Sequence, residues 1–456
     1  MIFKSSIFKA YDIRGMYGID FDDDFAYQLG LAYSQLRREE LGRSDLKIVV
    51  GHDMRISSPV LQAELIKGLV AGGVEVIDIG LVSTPTFYFA VAHYHYDGGI
   101  QVSASHNPKE YNGFKLVRQL ASPIGENSGI NDLKNLMLSG EIFPYSVKGK
   151  VIQQNNVLAD QVIYDVSTIN ISDIKPCRVV FDTANAMGAL YFDELFKQIP
   201  QMEVIRMNWV LDGTFPAHEA DPYKTENVLE LCDKVKTEKA DMGVATDGDA
   251  DRIFFIDNEG EAIEPGITRA ILAQIFLAEK PHTTIAYDIR PGRITYDTII
   301  AQGGSPLVTR VGHSLIKEAM IDAGVYFAGE SSGHFFLNME KEGCYEIPGI
   351  VFLKLLVELS KEKKTLAEYS KPFKKYSHSG EINLTVTNGQ EKIAALKEKY
   401  RDGEQNELDG LSVEYQNYWF NVRLSHTEPL LRLNVEAVSR EIMEEKKLEL
   451  LNFLKK

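Results

Sequence analysis

A serine in a polar turn and three aspartates at alternate positions give this chain the means to move a phosphoryl group. Ser105 lies in Ser103-Ala-Ser-His-Asn-Pro-Lys-Glu-Tyr-Asn112, and the carboxylates in Asp247-Gly-Asp-Ala-Asp-Arg252. Three carboxylates this close repel one another unless a cation neutralises them, and oxygen donors select Mg²⁺, Mn²⁺ or Ca²⁺ over zinc. Their period of two puts Asp247, Asp249 and Asp251 on one face if the chain stays extended. An EF-hand fails here, because Arg252 stands at the sixth position and Asn258 at the twelfth. The bland alternative is an acidic surface turn, which the apolar run immediately before the triplet disfavours.

Ser105 with His106 invites a serine-hydrolase reading. Adjacent residues rarely aim a nucleophile and its base at each other, and the chain has no Gly-x-Ser-x-Gly elbow at this serine. Beside a metal cage, the serine oxygen reads instead as a phosphate carrier, adding a charge of about −1.5 to −2 that metal and nearby cations hold. A third segment, Arg423-Leu-Ser-His-Thr-Glu-Pro-Leu-Leu-Arg432, offers two guanidinium groups and two hydroxyls. That set suits a phosphate dianion, with arginine giving bidentate contacts.

The elements that carry these loops recur. Apolar runs ending in Asp occur at Ile48–Asp53, Arg178–Asp182 and Thr284–Asp288, each with the β-branched character of a buried parallel strand. Asp53, Asp182 and Asp288 themselves read as structural, ending strands and capping turns. Second strands follow at Val74–Ile79, Glu203–Arg206 and Pro306–Thr309. Third strands at Gly99–Val102, Met242–Thr246 and Val325–Ala328 each run into a polar loop, the last being Glu330–His334. Helical patterns such as Ser58–Leu69 lie between them. Open α/β sheets place ligands at the C-terminal ends of such strands, so the three loops are expected to meet in one cleft. From about Lys371 the texture becomes α+β, with strands at Gly380–Val386, Tyr418–Leu424 and Leu430–Glu436 and helices at Glu391–Tyr400 and Glu441–Lys455. The expected architecture is three repeated α/β domains with mixed, mainly parallel sheets (1–148, 149–258, 259–370) and a C-terminal α+β domain (371–456) around a central cleft.

A net charge of −16 over 456 residues argues against nucleic acid or anionic membrane as partner. Only local islands of cations can bind an anionic metabolite here. The three cysteines, Cys177, Cys232 and Cys344, lie far apart and read as reduced thiols. No stretch reaches the ~20 apolar residues of a membrane span, and the first residues lack a secretory pattern. The expectation is a cytoplasmic protein, a monomer or weak dimer.

Two further blocks, Phe8-Lys-Ala-Tyr-Asp-Ile-Arg-Gly15 and Gly329-Glu-Ser-Ser-Gly-His334, complete five in order along the chain. In all five it resembles the α-D-phosphohexomutase superfamily, nearest to bacterial phosphomannomutase/phosphoglucomutase enzymes. The resemblance implies a standing phosphoserine at Ser105 and Mg²⁺ on Asp247, Asp249 and Asp251, with a Ser105 phosphate oxygen as a further ligand. It implies Lys115 and His334 near the transferring proton as its acceptors, and Arg14 and Arg252 beside the phosphoserine. Glu330 and Ser332 match residues that hold sugar hydroxyls, within a loop completed by Ser331 and Gly333. Tyr11, Arg290 and His313 fall on positions close to substrate. Arg423, Ser425, His426, Thr427 and Arg432 occupy the loop that grips the phosphate not being transferred.

The reaction so implied interconverts hexose 1-phosphate and hexose 6-phosphate through a bound hexose 1,6-bisphosphate, which also serves as activator. Three positions depart from the family pattern: His426 where Gly or Asn is usual, Arg290 where Lys is frequent, and Ile347-Pro-Gly349 in place of an acidic-Gly sequence. A phosphoglucosamine mutase is the second reading, disfavoured by a small Ser331 where those enzymes usually carry Gln. A metal-dependent sugar phosphatase and a catalytically silent phosphosugar-binding relative are the alternatives outside mutase chemistry.

Overall fold

Short β-branched runs separated by amphipathic helices build four sheets. The computed structural model describes residues 3–386, 388–425 and 430–455. The first sheet holds Ile13–Met16 (β1), Lys47–His52 (β2), Glu75–Leu81 (β3), Gly98–Val102 (β4), Tyr111–Arg118 (β5) and Lys150–Gln153 (β6), in the order β1-β5-β4-β2-β3-β6. The second holds Cys177–Asp182 (β7), Met202–Met207 (β8), Met242–Thr246 (β9) and Ile253–Ile256 (β10), ordered β10-β9-β7-β8. The third holds Thr284–Asp288 (β11), Ser305–Thr309 (β12), Phe327–Gly329 (β13), Phe335–Asn338 (β14) and Cys344–Glu346 (β15), ordered β12-β11-β13-β14-β15.

The repeat is explicit in the pairing. In each unit the first strand lies between the second and third, parallel to both: β2 with β3 and β4, β7 with β8 and β9, β11 with β12 and β13. A fourth strand then returns antiparallel to the third, as β5, β10 and β14. The chemically loaded loops are therefore hairpin connections between third and fourth strands. The return strand is the part of the unit that the apolar-run pattern did not separate.

Two boundaries differ from expectation. β6 pairs with β3 in the first sheet, so that sheet reaches beyond residue 148; the strand is exposed along its whole length and lacks the apolar alternation that marks a strand. The third strand of the third unit starts at Phe327 rather than Val325, because Gly324 closes the preceding helix in the left-handed region and Val325 N–H still bonds Met320.

One apolar cluster holds the three units together. Phe87 and Phe89 of the first, Phe181 and Phe192 of the second, and Phe276 and Phe327 of the third belong to the same buried core. Burial at ~25 cal/mol per Å² makes such a core stiff enough to fix three hairpins against one another. The C-terminal sheet, Ser377–His378 (β16), Ile382–Leu384 (β17), Glu404–Asn406 (β18), Leu411–Glu414 (β19), Tyr418–Leu424 (β20) and Leu431–Ala437 (β21), is antiparallel throughout. β17 is shorter than the run Gly380–Val386 suggests. This sheet has its own core around Leu411, Phe420, Val435 and Leu450 and meets the third unit through polar contacts: Arg293 to Glu414 and to the carbonyl of Gln416, Val311 N–H to Asp409, Tyr376 to Asp297. A polar interface of this kind can open without exposing a core. Among the described residues no helix is long and apolar enough to cross a membrane.

A buried carboxyl marks the contact between the second unit and the helix leading into it. Asp165, on the helix Val157–Ser167, accepts from the Tyr191 hydroxyl inside the core. Burial pushes it from 3.8 up to about 7, against the lowering effect of Tyr191. A carboxyl raised on folding favours the folded state while protonated, and that contribution is lost as pH climbs from about 4 to about 7. At 1.36 kcal/mol per pH unit its upper limit is ~4 kcal/mol. Asp165→Asn keeps the acceptor and removes the charge, so its Tm should exceed wild type by roughly 2 °C or more at pH 8 and match it at pH 4. Equal Tm differences at both pH values would exclude this origin.

Candidate functional site

The three hairpin loops face one another, and the first presents Ser105. Its backbone turns into the left-handed region (φ 49°), a conformation costing about 1–3 kcal/mol for a non-glycine residue. Ser103 Oγ accepts from Ser105 N–H at 3.0 Å. The turn directs Ser105 Oγ to Asp247 Oδ2 at 2.8 Å, across to the second unit. It also brings His106 Nδ1 to 3.2 Å from the same oxygen, contrary to the expectation that neighbours in sequence do not face each other. Burial, then Arg252 and Arg14, push the His106 imidazolium well below its usual range, leaving a neutral ring.

The metal loop does not stay extended. Ala250 adopts φ 61°, and this turn, rather than a period of two, gathers Asp247, Asp249 and Asp251 into a buried group with ligand oxygens within 4.8 Å of one another. Gly248 is required at its position, since a Cβ there would lie 2.3 Å from the Ser105 carbonyl oxygen. Asp249 Oδ1 is buried with no hydrogen-bond partner among the described residues. Burial and the neighbouring Asp251 and Asp249 charges raise the Asp247 carboxyl well above its usual range. An orphaned buried oxygen and a carboxyl that resists ionisation are what a divalent cation would correct, so the donor set fits a hard metal ion.

Cations surround this cage. Lys115 Nζ lies 2.7 Å from Asp249 Oδ2 and also pairs with Asp251. Burial opposes its charge, but the two aspartates override it and hold the ammonium well above the usual lysine range. Arg252 Nη1 and Nε stand 3.6 Å from Asp221 and 3.7 Å from Asp247. Arg14 Nη1 donates to Asn107 Oδ1 at 2.7 Å, and its Nη2 pairs with Asp12.

His334 ends the third loop between two carboxylates, Nε2 3.0 Å from Asp251 Oδ1 and Nδ1 2.9 Å from Glu330 Oε2. Ser332 Oγ lies 2.9 Å from the same Nδ1. Burial draws the pKa down, but Asp251 and Glu330 carry it up to about 9. Both shifts come from contact with the acidic triplet, Lys115 through Asp249 and Asp251 and His334 through Asp251. Glu330, held well below the carboxylate range despite burial by His334 and then Arg290, also accepts from Arg290 Nη2 and from Gly312 N–H, both at 3.1 Å.

Asp288 anchors this loop. It accepts from Ser331 N–H at 2.8 Å and Ser331 Oγ at 3.0 Å and pairs with Arg269 and Arg290. The Ser331 hydroxyl is thereby engaged with the scaffold, and also receives Arg269 at 2.9 Å. Gly333 sits at φ 90°, where a Cβ would strike the Phe254 ring at 2.4 Å. His313 lies between the Tyr11 ring at 5.6 Å and the His334 ring at 5.8 Å; burial and then Lys317 keep it neutral. Burial, then Glu330, push the Tyr11 phenol up to about 12.

From the C-terminal unit, Arg423 Nη2 donates to Glu381 Oε2 at 2.7 Å and Arg432 Nη1 lies 3.2 Å from Glu381 Oε1. One carboxylate thus sets both guanidinium groups. Ser425 N–H donates to the Leu430 carbonyl at 2.8 Å. His426 and Thr427 lie outside the described residues. Pro348 opens the helix Pro348–Glu362 at its first turn, where proline's missing N–H costs nothing. The residues that sequence reasoning left out of the site are His106, Arg55, Asp288 and Glu381. The recurrent strand-ending aspartate was the available signal for Asp288.

Similarity to known proteins runs the length of the chain. The family described as phosphoglucomutase/phosphomannomutase matches through its alpha/beta/alpha domain I at residues 5–140, domain II at 158–260, domain III at 266–376 and its C-terminal domain at 381–452. A phosphomannomutase of Methanocaldococcus jannaschii is 36% identical over 99% of this chain and 98% of its own length. One from Vibrio cholerae is 36% identical over 98% of each. The crystal structure of a phosphoglucomutase/phosphomannomutase family protein from Burkholderia thailandensis superposes with a TM-score of 0.89 at 30% identity, covering 100% of this chain and 98% of that one.

Proposed function

The chain belongs to the phosphoglucomutase/phosphomannomutase family of isomerases, and we propose that it works through a phosphorylated Ser105. The proposed reaction transfers this phosphoryl group to the free 6-hydroxyl of a mannose or glucose 1-phosphate. The resulting 1,6-bisphosphate turns over in the cleft, and its 1-phosphate returns to Ser105. The observation that carries this reading is the buried Ser105 oxygen, 2.8 Å from Asp247, on the first of three equivalent hairpins that meet.

Phosphoryl transfer passes through a loose transition state, so catalysis is mostly positioning and charge. Lys115, Arg14 and Arg252 supply positive charge around the moving group, in a site buried enough to strengthen it. Neutral His334 takes the proton of the sugar 6-hydroxyl as that oxygen accepts the phosphoryl group, and the imidazolium so formed returns it to the sugar 1-oxygen that leaves in the second transfer. Neutral His106, beside Ser105 Oγ, takes the hydroxyl proton when the unmodified serine is loaded. A magnesium ion held by Asp247, Asp249 and Asp251 adds Lewis-acid charge stabilisation when bound. Glu330 and Ser332 hold sugar hydroxyls, with Tyr11, Arg290 and His313 around them, while Arg423, Ser425, His426, Thr427 and Arg432 grip the distal phosphate. The polar seam before the C-terminal unit allows the opening that a turning intermediate needs.

A coupled assay with mannose 1-phosphate, glucose 1-phosphate and glucosamine 6-phosphate tests the reading. The first two should turn over with kcat/KM at least about tenfold above the third. Preference for the amino sugar would make the protein a phosphoglucosamine mutase, and phosphate release as fast as isomerisation would make it a phosphatase.

A further inference from the structure

One guanidinium group in the first unit is spent entirely on the serine loop. Arg55 is fully buried. Its Nη1 donates to the carbonyls of Pro108 at 2.8 Å and Tyr111 at 3.0 Å, and its Nη2 to those of Ser105 at 2.8 Å and Asn107 at 2.6 Å. Four carbonyls of one loop therefore converge on a single planar fork. Asp53 fixes the fork from behind: its Oδ2 lies 3.2 Å from Arg55 Nε, and its Oδ1 accepts from Arg55 N–H at 3.0 Å and from Ser58 Oγ.

The second unit closes over the same group. The Phe215 ring lies 5.1 Å from the guanidinium carbon, and Phe215 itself sits in the left-handed region at φ 51°. Gly213 packs so closely on Met54, Arg55 and Ile56 that a Cβ would meet the Met54 carbonyl at 2.7 Å. On the far side of Ser105, Gly248 abuts the same carbonyl that Arg55 Nη2 holds. That carbonyl is clamped between the first unit's cation and the metal loop's backbone.

We propose that Arg55 is a positioning residue for phosphoryl transfer, holding Ser105 in its left-handed turn so that Oγ faces the aspartate loop. The inference rests on Ser105 being the phosphoryl carrier. An arginine is needed because only a planar fork with separated N–H groups can serve four carbonyls at once; a lysine ammonium is a point donor with at most three. Arg55 is fully buried with both Nη groups spent on loop carbonyls, so its loss should change the rate of transfer and leave ground-state binding alone.

The test uses the full-length protein with Arg55→Lys and Arg55→Ala, beside Ser105→Ala. Each variant is assayed for kcat and KM with glucose 1-phosphate, for the covalent phosphate gained from glucose 1,6-bisphosphate, and for Tm. Both Arg55 variants should lose about 100-fold in kcat with KM within about threefold, and methylguanidinium should restore at least tenfold of that loss in Arg55→Ala but none in Arg55→Lys. A merely structural arginine would lower Tm without this split or rescue. The proposal is overturned if kcat in Arg55→Lys stays within threefold of wild type, or if kcat and KM change together. Should Arg55→Ala fail to fold, Arg55→Lys decides. Wild-type protein that carries no phosphate at Ser105 after incubation with glucose 1,6-bisphosphate refutes the carrier reading instead, and the Ser105→Ala arm separates the two failures.

Discussion

Ser105→Ala should remove essentially all mutase activity, a loss on the order of 10⁴- to 10⁶-fold in kcat of the kind seen when an enzyme's covalent nucleophile is deleted. The size follows from the chemistry. Phosphate monoesters are among the slowest bonds to break unaided, and every other group in the cleft is arranged around the oxygen that alanine lacks. Asp247 would keep its place but lose the hydroxyl it accepts at 2.8 Å, and His106 would lose the one it faces at 3.2 Å. Alanine preserves the backbone and removes one hydrogen-bonded hydroxyl, so Tm should change by less than about 2 °C. Mass spectrometry after incubation with glucose 1,6-bisphosphate should find one added HPO₃ on wild type and none on the variant. Activity retained within about tenfold would move the carrier role to another residue.

Much of this arrangement is written in residue types. Runs such as Val49-Val50 and Val179-Val180 announce buried strands because β-branched side chains pack on a pleated surface. The loops that follow are legible because Ser-His-Asn-Pro and Asp-x-Asp-x-Asp stand in order among five blocks that match one family. What stayed hidden depends on backbone geometry and on distance along the chain. Ser105 and Ala250 are not glycines, so nothing in their identity signals the left-handed turns that bring His106 onto Ser105 and gather the three aspartates. Arg55 binds carbonyl oxygens, which every residue has, so its role leaves no trace in the types of Pro108, Tyr111 or Asn107. Glu381 meets Arg423 across 42 positions, a separation no local pattern spans. The environments of His334 and Lys115 are likewise products of the fold: each residue type is ordinary, and the convergence of Asp251, Asp249 and Glu330 from two units raises the pKa of both.

The same convergence makes Asp247 the weak member of the acidic triplet. Asp249 and Asp251 have Lys115, and Asp251 also has His334 within 3.0 Å. Among the described residues the cation paired with Asp247 is Arg252, at 3.7 Å, and burial beside its two neighbours raises its carboxyl despite Arg252 and His334. Asp247→Asn should therefore cost the metal-free protein little in stability: the amide replaces a carboxyl that already resists ionisation and keeps an oxygen for the Ser105 hydroxyl, losing the acceptor of the Arg252 N–H. Catalysis should respond in the opposite direction. If Asp247 holds the ion as proposed, its loss removes several kcal/mol of transition-state charge stabilisation, and ~4 kcal/mol corresponds to roughly 10³-fold in kcat. Titration with MgCl₂ reads both halves at once. Wild-type Tm should rise with the ion as binding to the folded state draws the equilibrium, while the variant's Tm starts near the metal-free wild-type value and barely moves. A variant whose Tm climbs with Mg²⁺ as steeply as wild type would place the ion elsewhere, and one that unfolds far more readily without metal would mean that Asp247 is compensated by charges other than Arg252.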